Sequence, residues 1–585
     1  MTYTAPLDDI RFLLRRVAPI ARLTALPRYA HVDADDAERV LAEAARLAEA
    51  VIAPINAPGD EEGARLANGV VVTPKGYRDA FAKLSAGGWA GLSLPTAQGG
   101  QGMPQLVQTV FTEMVSGASL AFGMALISSV GGAKVIGAHA TPAQAAMFLP
   151  QLADGSATAT IVMTEPHAGS DIGLARTRAV AKGDGTYAIS GTKIFISFGD
   201  HDLCDQILHI VLARTPAAPP GIKGLSLFLV PKRLPQPDGT PGVVNRARAA
   251  RLEKKMGIHG SPTCEMVFED AVGWLLGREG DGIRNMFTMV NSMRLDVGAQ
   301  GVGVAGAALR KALDYTQERR QGGRGPDGGP VPLAAHADVR RQLMQMRAWT
   351  EGFRALLYTA ALEEDIANAG PEAERSDARD LVEWLLPLVK AGASDAGFRV
   401  ANQAIQLHGG HGYVFEHGVE QLARDVRIAA IYEGANAIQA IDLVTRKLVQ
   451  ENGRRAEVFT SRIRAILDAA RGREITREIA AALETALPHF ERATRYMLEK
   501  AKGAARDALA GASAYLDLAA HLAVGWMWLE MAAKADPANA AEAAKPALAR
   551  FFAEDALAAC DLLARRAMNG AAAIDALGDA QLCAS

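Results

Sequence analysis

Hydrophobic residues between Asp35 and Ala53 recur at helical spacing behind an acidic start, and Pro54 ends this pattern. They predict an amphipathic helix, and helical periodicity continues to about Leu152. After Gly155 the pattern changes to short apolar, β-branched runs separated by glycine, proline and aspartate. These runs are IVMTEP, YAISGTKIFIS, QILHIVLAR, GLSLFLVP and EMVFED. They predict a β-domain of roughly 120 residues.

Helical periodicity returns near Gly280 and continues to about Leu448, interrupted by the loop GGRGPDGGP and by the glycine-rich segment LHGGHGY. Beyond Asn452 the chain is alanine- and arginine-rich helix, with breaks at Gly503 and at Asp536-Pro537. We therefore predict a mostly helical α+β protein. Its expected parts are an N-terminal arm and helical domain (1–154), a middle β-domain (155–278), a C-terminal bundle of four-helix type (279–448) and an additional helical domain (449–585).

One stretch is long enough to raise the question of a membrane span. It runs from Ala514 to Ala533, but Asp517, His521 and Glu530 interrupt it. We predict a helix that is buried or faces another subunit, and no membrane span.

The chain of 585 residues is long enough for several domains with extended cores. Lysine and arginine number 62 against 65 aspartates and glutamates, so the net charge of −3 gives no overall basic field for a nucleic acid partner. The first residues, MTYTAPLDDIRFLLRR, place acids before the apolar run and cations after it, the reverse of a secretory signal. The four cysteines show neither the close pairs of a zinc site nor a disulfide framework; they are Cys204, Cys264, Cys560 and Cys583. We expect a cytoplasmic protein.

Two motifs suggest cofactors that their context does not support. Gly301, Gly303 and Gly306 spell G-x-G-x-x-G, but a dinucleotide fingerprint follows a strand, and the residues before Gly301 have helical spacing. Small residues that let two helices pack closely are the better interpretation. His408, His411 and His417 suggest a metal site, but no carboxylate and histidine framework repeats around them, so we expect no metal.

Four separated segments contain the residues that are candidates for catalysis or binding. They are MTEPHAGSD (163–171), KIFIS (193–197), NSMR with ERRQ (291–294 and 318–321), and QLHGGHGY with RD and IYEG (406–413, 424–425 and 431–434). In order and in approximate spacing they resemble the acyl-CoA dehydrogenase family. The resemblance extends from about Asp35 to Leu448, and the remaining helical block resembles a longer subgroup, which includes enzymes that act on 3-methylmercaptopropionyl-CoA.

The resemblance implies an FAD cofactor. The residues expected to contact it are Met163, Thr164, Phe195, Ser197, Arg319, Gln406 and Gly410, the last two across a subunit interface. An arginine suits the FAD pyrophosphate because its planar donors match phosphate oxygens. Phe195 and Ser197 stand where tryptophan and threonine are common in the family. Ile161, Gly322 and Ala435 likewise replace a frequent tyrosine, an aromatic residue and a threonine.

The resemblance also implies an acyl-CoA substrate, with Ser170, Arg294 and Gly434 in contact with it and Glu433 as the base that removes an α-proton. Some family members carry the base on the helix of the CoA-binding arginine, where this chain has Met293. Removal of the weakly acidic α-proton needs a placed carboxylate and donors for the carbonyl oxygen. The implied donors are the Glu433 backbone N–H and a ribityl hydroxyl of FAD. The expected product is a trans-2-enoyl-CoA.

The family resemblance implies electron-transfer flavoprotein as the electron acceptor and a homodimer or homotetramer as the assembly. Two alternatives stay open. An acyl-CoA oxidase would pass the electrons to O2 instead, and a DNA-associated, FAD-containing binding protein on the same fold would belong to a different functional class. The near-neutral charge balance argues against the second alternative.

Overall fold

The computed structural model describes residues 3–325 and 328–584. Its contacts divide the chain into two units: a β-containing unit of residues 40–296, and a helical unit of residues 6–39 together with residues 297 onward. The architecture is mostly helical with one large sheet, which confirms the predicted fold class. The division into four domains stays a prediction.

The β-containing unit begins with helices and continues into the sheet. Its helices are α3 (Ala34–Leu47, which starts in the helical unit), α4 (Asn56–Glu62), α5 (Tyr77–Ala86), α6 (Gln105–Ala118), α7 (Leu120–His139) and α8 (Pro142–Ala153), and α1 (Leu7–Phe12) and α2 (Ala21–Thr24) precede them in the helical unit. Its strands are β1 (Arg65–Ala67), β2 (Val70–Val72), β3 (Ala157–Val162), β4 (Arg178–Ala181), β5 (Tyr187–Ser197), β6 (Gln206–Arg214), β7 (Leu225–Pro231), β8 (Arg233–Pro235), β9 (Pro241–Val244), β10 (Ala247–Leu252) and β11 (Thr263–Leu275).

Seven strands form the main sheet, in the order β10, β11, β5, β4, β6, β3, with β7 paired to both β11 and β6. Most neighbours are antiparallel, and β3 pairs with β6 in parallel, with Thr160 opposite His209. The predicted strand runs correspond to β3, β5, β6, β7 and β11. Their β-branched and apolar side chains are buried on the two faces of the sheet.

Helix α7 packs directly on the sheet. A Cβ atom at Gly132 would lie 2.4 Å from the Cβ of Ala159 in β3, so only glycine permits this approach. The hydroxyl of Ser129 accepts a hydrogen bond from the Ala159 backbone N–H at 3.1 Å. These contacts hold α7 directly against β3 of the sheet.

The helical unit consists of long helices and short turns. Its helices are α9 (Gly282–Glu318, which starts in the β-containing unit), α10 (Ala337–Ala369), α11 (Glu372–His408), α12 (Glu420–Val426), α13 (Asn436–Asp442), α14 (Arg454–Ala470), α15 (Arg477–Gly503), α16 (Ala505–Lys534), α17 (Lys545–Asp555), α18 (Cys560–Ala567), α19 (Ala572–Asp575) and α20 (Asp579–Leu582). The breaks predicted at Gly503 and at Asp536-Pro537 coincide with the ends of α15 and α16.

The glycine pattern in α9 serves helix packing, as predicted. A Cβ atom at Gly301 would lie 2.3 Å from the carbonyl oxygen of Ala393 in α11, and one at Gly298 would lie 2.4 Å from Val389. These glycines let the two helices approach closely, and the segment is helical throughout. It is therefore not the strand-to-helix loop of a dinucleotide fingerprint.

Helix α16 contains the long apolar stretch and is mostly buried within the unit. The indole N–H of Trp528 donates to the Ala348 carbonyl oxygen at 3.0 Å, and Val524 packs on Gly352 of α10. Among the described residues α7 and α16 are long and apolar enough to cross a membrane, but 89% and 67% of their most apolar windows are buried. That burial is typical of core helices.

A buried cluster of charges connects α1, α10 and α17. Asp9 accepts from Arg354 at 2.6 Å and from Lys545, and Lys545 also donates to Glu351 at 2.7 Å. Burial alone would raise the pKa of Asp9, but Lys545 and Arg354 lower it to about 2. The N-terminal arm is thus joined to the additional helical segment through paired charges.

Candidate active site

The loop after β3 is fixed from the neighbouring strand β5. Met163 and Thr164 are half-buried, and the Thr164 carbonyl oxygen accepts from the Ile194 backbone N–H at 2.9 Å. Two reciprocal backbone hydrogen bonds of 3.0 Å between Glu165 and Ala168 close the turn that follows. The structure therefore brings the predicted residues at 163–164 together with those at 193–197.

A buried ion pair between β5 and the loop holds this loop in place. Lys193 donates to Glu165 and to the Met163 carbonyl oxygen, both at 2.9 Å, and neither charged side chain is more than 3% exposed. Burial by itself would raise the pKa of Glu165, but Lys193 and hydrogen bonds from residues 176 and 177 lower it to about 2. Burial lowers the pKa of Lys193 to about 8 despite its acidic partner. This pairing fixes the backbone at Met163.

Phe195 is an exposed aromatic side chain in the middle of a strand. Ile194 and Phe195 stand opposite the single residue Glu265 in β11, which is a β-bulge. Phe195 has φ +61, in the left-handed region that L residues avoid, and its side chain is 61% exposed. Strained backbone of this kind clusters at binding sites, and here it leaves an aromatic side chain exposed.

The remaining predicted residues of the β-containing unit differ in exposure. Ser197 is half-buried at the end of β5, opposite Thr263, and Ser170 is exposed in the loop. Arg294 is only 4% exposed within α9, and Met293 beside it is 2% exposed.

In the helical unit, aromatic contacts join the end of α9 to the glycine-rich turn after α11. Tyr315 stacks on His408 at 4.3 Å between ring centroids and hydrogen-bonds His411 at 2.9 Å. Arg319 at the end of α9 is exposed, as are Gln406 and Gly410. A Cβ atom built at Gly410 would have no atom of the described residues within 4 Å, apart from its own neighbours in the chain. Predicted cofactor residues from two segments thus lie in one region.

The histidines of this region are used in ring packing. His411 stacks on His417 at 4.7 Å, and His408 Nδ1 donates to the Ala404 carbonyl oxygen at 2.7 Å. Within the part of the chain that the structure describes, no group of three or more metal-binding side chains is found.

Glu433 lies in a strained turn, which we call the 432–435 turn, immediately before α13. Glu433 has φ +53 and the next residue, Gly434, has φ +83, so two consecutive residues adopt left-handed conformations. The amide of Gln439 donates to the carbonyl oxygens of Glu433 and Gly434 at 3.3 and 3.1 Å. Helix α13 therefore holds the backbone of Glu433, whose side chain is half-buried.

A buried lysine of α11 fixes the same turn from the other side. Lys390 is fully buried and donates to the Gly434 carbonyl oxygen at 2.7 Å and to Asn436 Oδ1 at 3.0 Å. Asn436 in turn donates to Asp395 at 2.8 Å and to Ser394 at 3.1 Å. Burial raises the pKa of Asp395, while Asn436 opposes that shift. Hydrogen bonds from α11 and from α13 therefore hold the backbone of the 432–435 turn.

Two lysines that fix these loops were missed at the sequence level. Lys193 stands at an inward position of a strand, and Lys390 interrupts the apolar run LLPLVKAGA of α11. A lysine in an apolar phase needs a partner, because an unpaired buried charge is costly. That signal identifies the two residues but not their partners, which are distant in sequence.

Comparison with known proteins gives matches along most of the chain. Residues 34–156, 160–271 and 280–448 match the N-terminal, middle and C-terminal domains of acyl-CoA dehydrogenase. Residues 459–577 match the domain described as acetyl-CoA dehydrogenase C-terminal like.

The chain is 42% identical over 570 residues to 3-methylmercaptopropionyl-CoA dehydrogenase of Ruegeria pomeroyi, covering 96% of this chain and 97% of the relative. It is 32% identical over 585 residues to the broad-specificity linear acyl-CoA dehydrogenase FadE5 of Mycobacterium tuberculosis, covering 95% of each. The structure of Caenorhabditis elegans ACDH-11 in complex with C11-CoA superposes with a TM-score of 0.79 at 20% identity, over 95% of this chain and 92% of that one. That likeness shows the fold. The chain therefore belongs to the acyl-CoA dehydrogenase family, as its four segments suggested.

Proposed function

We propose that this protein is an FAD-dependent dehydrogenase that converts an acyl-CoA thioester into a trans-2-enoyl-CoA, with Glu433 as the base. The observation that supports this best is the 432–435 turn. Its left-handed backbone is fixed by Gln439 and Lys390, and a positional requirement on Glu433 accounts for this costly arrangement.

The residues present fit an FAD cofactor. The exposed ring of Phe195 and the fixed backbone at Thr164 suit the flavin ring system, and the exposed Arg319 suits a pyrophosphate. The open space at Gly410 leaves room for a ligand against the backbone. We assign Met163, Ser197 and Gln406 to the same cofactor on the family resemblance. When bound, FAD supplies the acceptor for the β-hydrogen and its electron pair.

The chain's own part in the reaction is proton removal. The Glu433 carboxylate takes the α-proton, and the electron pair of that C–H bond forms the new double bond as the β-hydrogen departs. Donors aimed at the thioester oxygen stabilise the charge that develops there. Exclusion of water around the carboxylate strengthens it as a base. We assign contacts with the CoA thioester to Ser170, Arg294 and Gly434.

The substrate and the partners are proposed from relatives. One relative acts on 3-methylmercaptopropionyl-CoA and another on linear acyl-CoAs, so we propose one of these classes as the substrate. We also propose electron-transfer flavoprotein as the electron acceptor, a homodimer or homotetramer as the assembly, and the cytoplasm as the location.

Glu433→Gln tests the proposal because it retains the shape and the backbone donor but removes the carboxylate. We expect the variant to keep about one FAD per subunit and to bind acyl-CoA, while flavin bleaching by substrate under anaerobic conditions falls by ~10²–10⁴. Exchange of the substrate α-hydrogen with solvent should vanish as well.

The matched control is Glu416→Gln, an exposed glutamate of the helical unit. It should bleach like the wild type. If Glu433→Gln bleaches at a near-normal rate, the base lies elsewhere; if the purified wild type is colourless and refuses FAD, the proposed function itself is wrong.

A further inference from the structure

Two loops of the β-containing unit leave the main sheet at the same edge. The first loop, residues 163–177, connects β3 to β4, and the second loop, residues 215–224, connects β6 to β7. Strands β3 and β6 are parallel neighbours, so their carboxyl ends, where the two loops begin, lie side by side. The first loop contains Ser170, to which we assigned a contact with the CoA thioester.

The side chain of Arg214, at the end of β6, holds both loops. In the first loop its Nε donates to the Ala175 carbonyl oxygen at 2.7 Å, and its Nη2 donates to the Gly173 carbonyl oxygen. In the second loop the Pro219 carbonyl oxygen accepts from Nη1 at 3.0 Å, and the Gly221 carbonyl oxygen accepts from Nη2 at 2.8 Å. Four of the five N–H groups of the guanidinium are thus used within the protein.

The second loop folds closely around this guanidinium. A Cβ atom at Gly224 would lie 1.8 Å from the Pro219 carbonyl oxygen and 2.6 Å from Arg214 Nη1, so a larger residue there would displace the loop. Ile222 of the second loop lies beside the first, because a Cβ atom at Gly173 would stand 3.5 Å from Ile222 Cγ2. The two loops therefore meet at the side chain that binds them both.

The first loop is exposed around Ser170 and is held on both sides of it. Its ends are joined by the Glu165 carboxylate, which accepts from the backbone N–H groups of Arg176 and Thr177 at 2.7 and 3.0 Å. The hydrogen bonds from Arg214 act three and five residues beyond Ser170. Holding an exposed segment in one conformation costs conformational entropy, which these hydrogen bonds offset.

We propose that Arg214 is a positioning residue for acyl-CoA binding, which holds the first loop against the second so that Ser170 stands where it contacts the CoA thioester. The proposal rests on the proposed function and adds a residue to its binding machinery. Arg214 acts through the loop and not by touching the substrate, since its donors are occupied by carbonyl oxygens. A residue of this kind affects binding more than the chemical step, so its loss should raise KM and leave kcat unchanged.

Arg214→Met tests the proposal, because methionine keeps an unbranched side chain but donates no hydrogen bond. The measured quantities are KM and kcat with an artificial electron acceptor, for 3-methylmercaptopropionyl-CoA and for butanoyl-CoA, together with FAD content. We expect KM to rise about tenfold or more, kcat to stay within about twofold, and FAD content to stay at the wild-type level.

The matched control is Arg233→Met. Arg233 is a half-buried arginine of the same unit, and it donates to the Gly242 carbonyl oxygen at 3.2 Å. The control should leave KM within about twofold of the wild type.

Arg214→Lys separates positioning from charge, and its milder change keeps the test available if the methionine variant does not fold. A single ammonium retains the charge but lacks the planar fork that reaches both loops. We expect KM of this variant to rise by more than about twofold. A KM closer to the wild type would show that charge is sufficient and would overturn the proposal.

Two further measurements distinguish positioning from general damage. In a Ser170→Ala background, Arg214→Met should change KM by less than about twofold, because the contact that Arg214 positions is already lost. Hydrogen exchange of the backbone amides of residues 172–175 should be about tenfold faster or more in Arg214→Met and unchanged in Arg233→Met. A larger change of KM in the Ser170→Ala background, or unchanged exchange in Arg214→Met, would refute the positioning role. A wild type that no acyl-CoA bleaches would instead overturn the proposed function, and the exchange measurement does not depend on it.

Discussion

Replacing Lys390 with methionine should slow turnover about 30-fold while leaving the Glu433 carboxylate in the protein. Lys390 donates two hydrogen bonds, one to the Gly434 carbonyl oxygen at 2.7 Å and one to Asn436 at 3.0 Å. Both acceptors lie within three residues of Glu433. Methionine fills a similar volume but cannot donate, so the 432–435 turn loses this support.

The magnitude follows from two opposing quantities. A hydrogen bond from a charged donor contributes about 1.5–3 kcal/mol. A residue held in the left-handed region costs of order 1–3 kcal/mol, which Glu433 and its neighbour must offset. Loss of the lysine therefore lets the turn relax, and a penalty of about 2 kcal/mol for regaining the reactive position corresponds to about 30-fold in rate.

The assay is single-turnover flavin bleaching at saturating acyl-CoA, with FAD content and thermal stability measured alongside. Lys447→Met is the matched control, because Lys447 is a buried lysine of the same unit that donates to Glu383 at 2.8 Å. The control should lose thermal stability as Lys390→Met does, because each variant removes a buried lysine. Its rate of flavin bleaching should stay near that of the wild type.

A double-mutant cycle distinguishes positioning from general damage. If Lys390 acts only through Glu433, Lys390→Met should have no further effect on bleaching in the Glu433→Gln background. An equal loss in both backgrounds, or full activity of the single variant, would refute the positioning role.

Two further predictions concern stability. Because the folded-state pKa of Asp9 is lowered from 3.8 to about 2, its charge contributes about 2 kcal/mol above pH 4 and loses that contribution as pH falls towards 2. Asp9→Asn should therefore lower the free energy of urea unfolding at pH 7 by about 2 kcal/mol or more. The control is Asp8→Asn, because the Asp8 side chain is 80% exposed, and it should change that free energy by less than about 0.5 kcal/mol. Equal effects of the two substitutions would contradict the buried cluster. Burial lowers the pKa of His201 and of His209 from 6.5 to about 3, so the stability from their neutral forms is full above pH 6.5 and is lost as pH falls, by about 2 kcal/mol each at pH 5. Urea unfolding at pH 7 and pH 5 should show this decrease, and a decrease in His209→Gln as large as in the wild type would count against it.

The sequence predicted features whose cause is local or periodic. The order of helices, strands and helices follows from apolar spacing. The long apolar run of α16 predicts burial, and the polar residues that interrupt it favour a core helix over a membrane span. The glycines of α9 could be separated from a dinucleotide fingerprint because helical spacing precedes them. Each of these inferences depends on residues within a few turns of one another.

The sequence could not show features that depend on distant pairing. The strained, exposed position of Phe195 arises because β11 pairs with β5 through a bulge. Lys390 contacts Gly434, which is 44 residues away, so its role is visible only once α11 and the 432–435 turn are adjacent. Resemblance identified Glu433 as a candidate but did not show which hydrogen bonds hold its backbone, and the roles of the site residues stay predictions.

The additional helices contribute to the surroundings of the 432–435 turn. Helix α13 begins at Asn436 and packs against α16, which also packs against α10 and α11. Burial and the negative charge of Asp395 together raise the pKa of Asp517 in α16 to about 6, although Arg399 lowers it, so the two carboxyl groups interact. Asp395 also accepts a hydrogen bond from the side-chain amide of Asn436. The oxygen of the same amide accepts a hydrogen bond from Lys390, which also donates to the turn. A short chain of polar contacts thus connects α16 with the proposed base. Since α16 packs against the helices that contain Lys390 and Asn436, the added helices support the 432–435 turn from within the core of the helical unit.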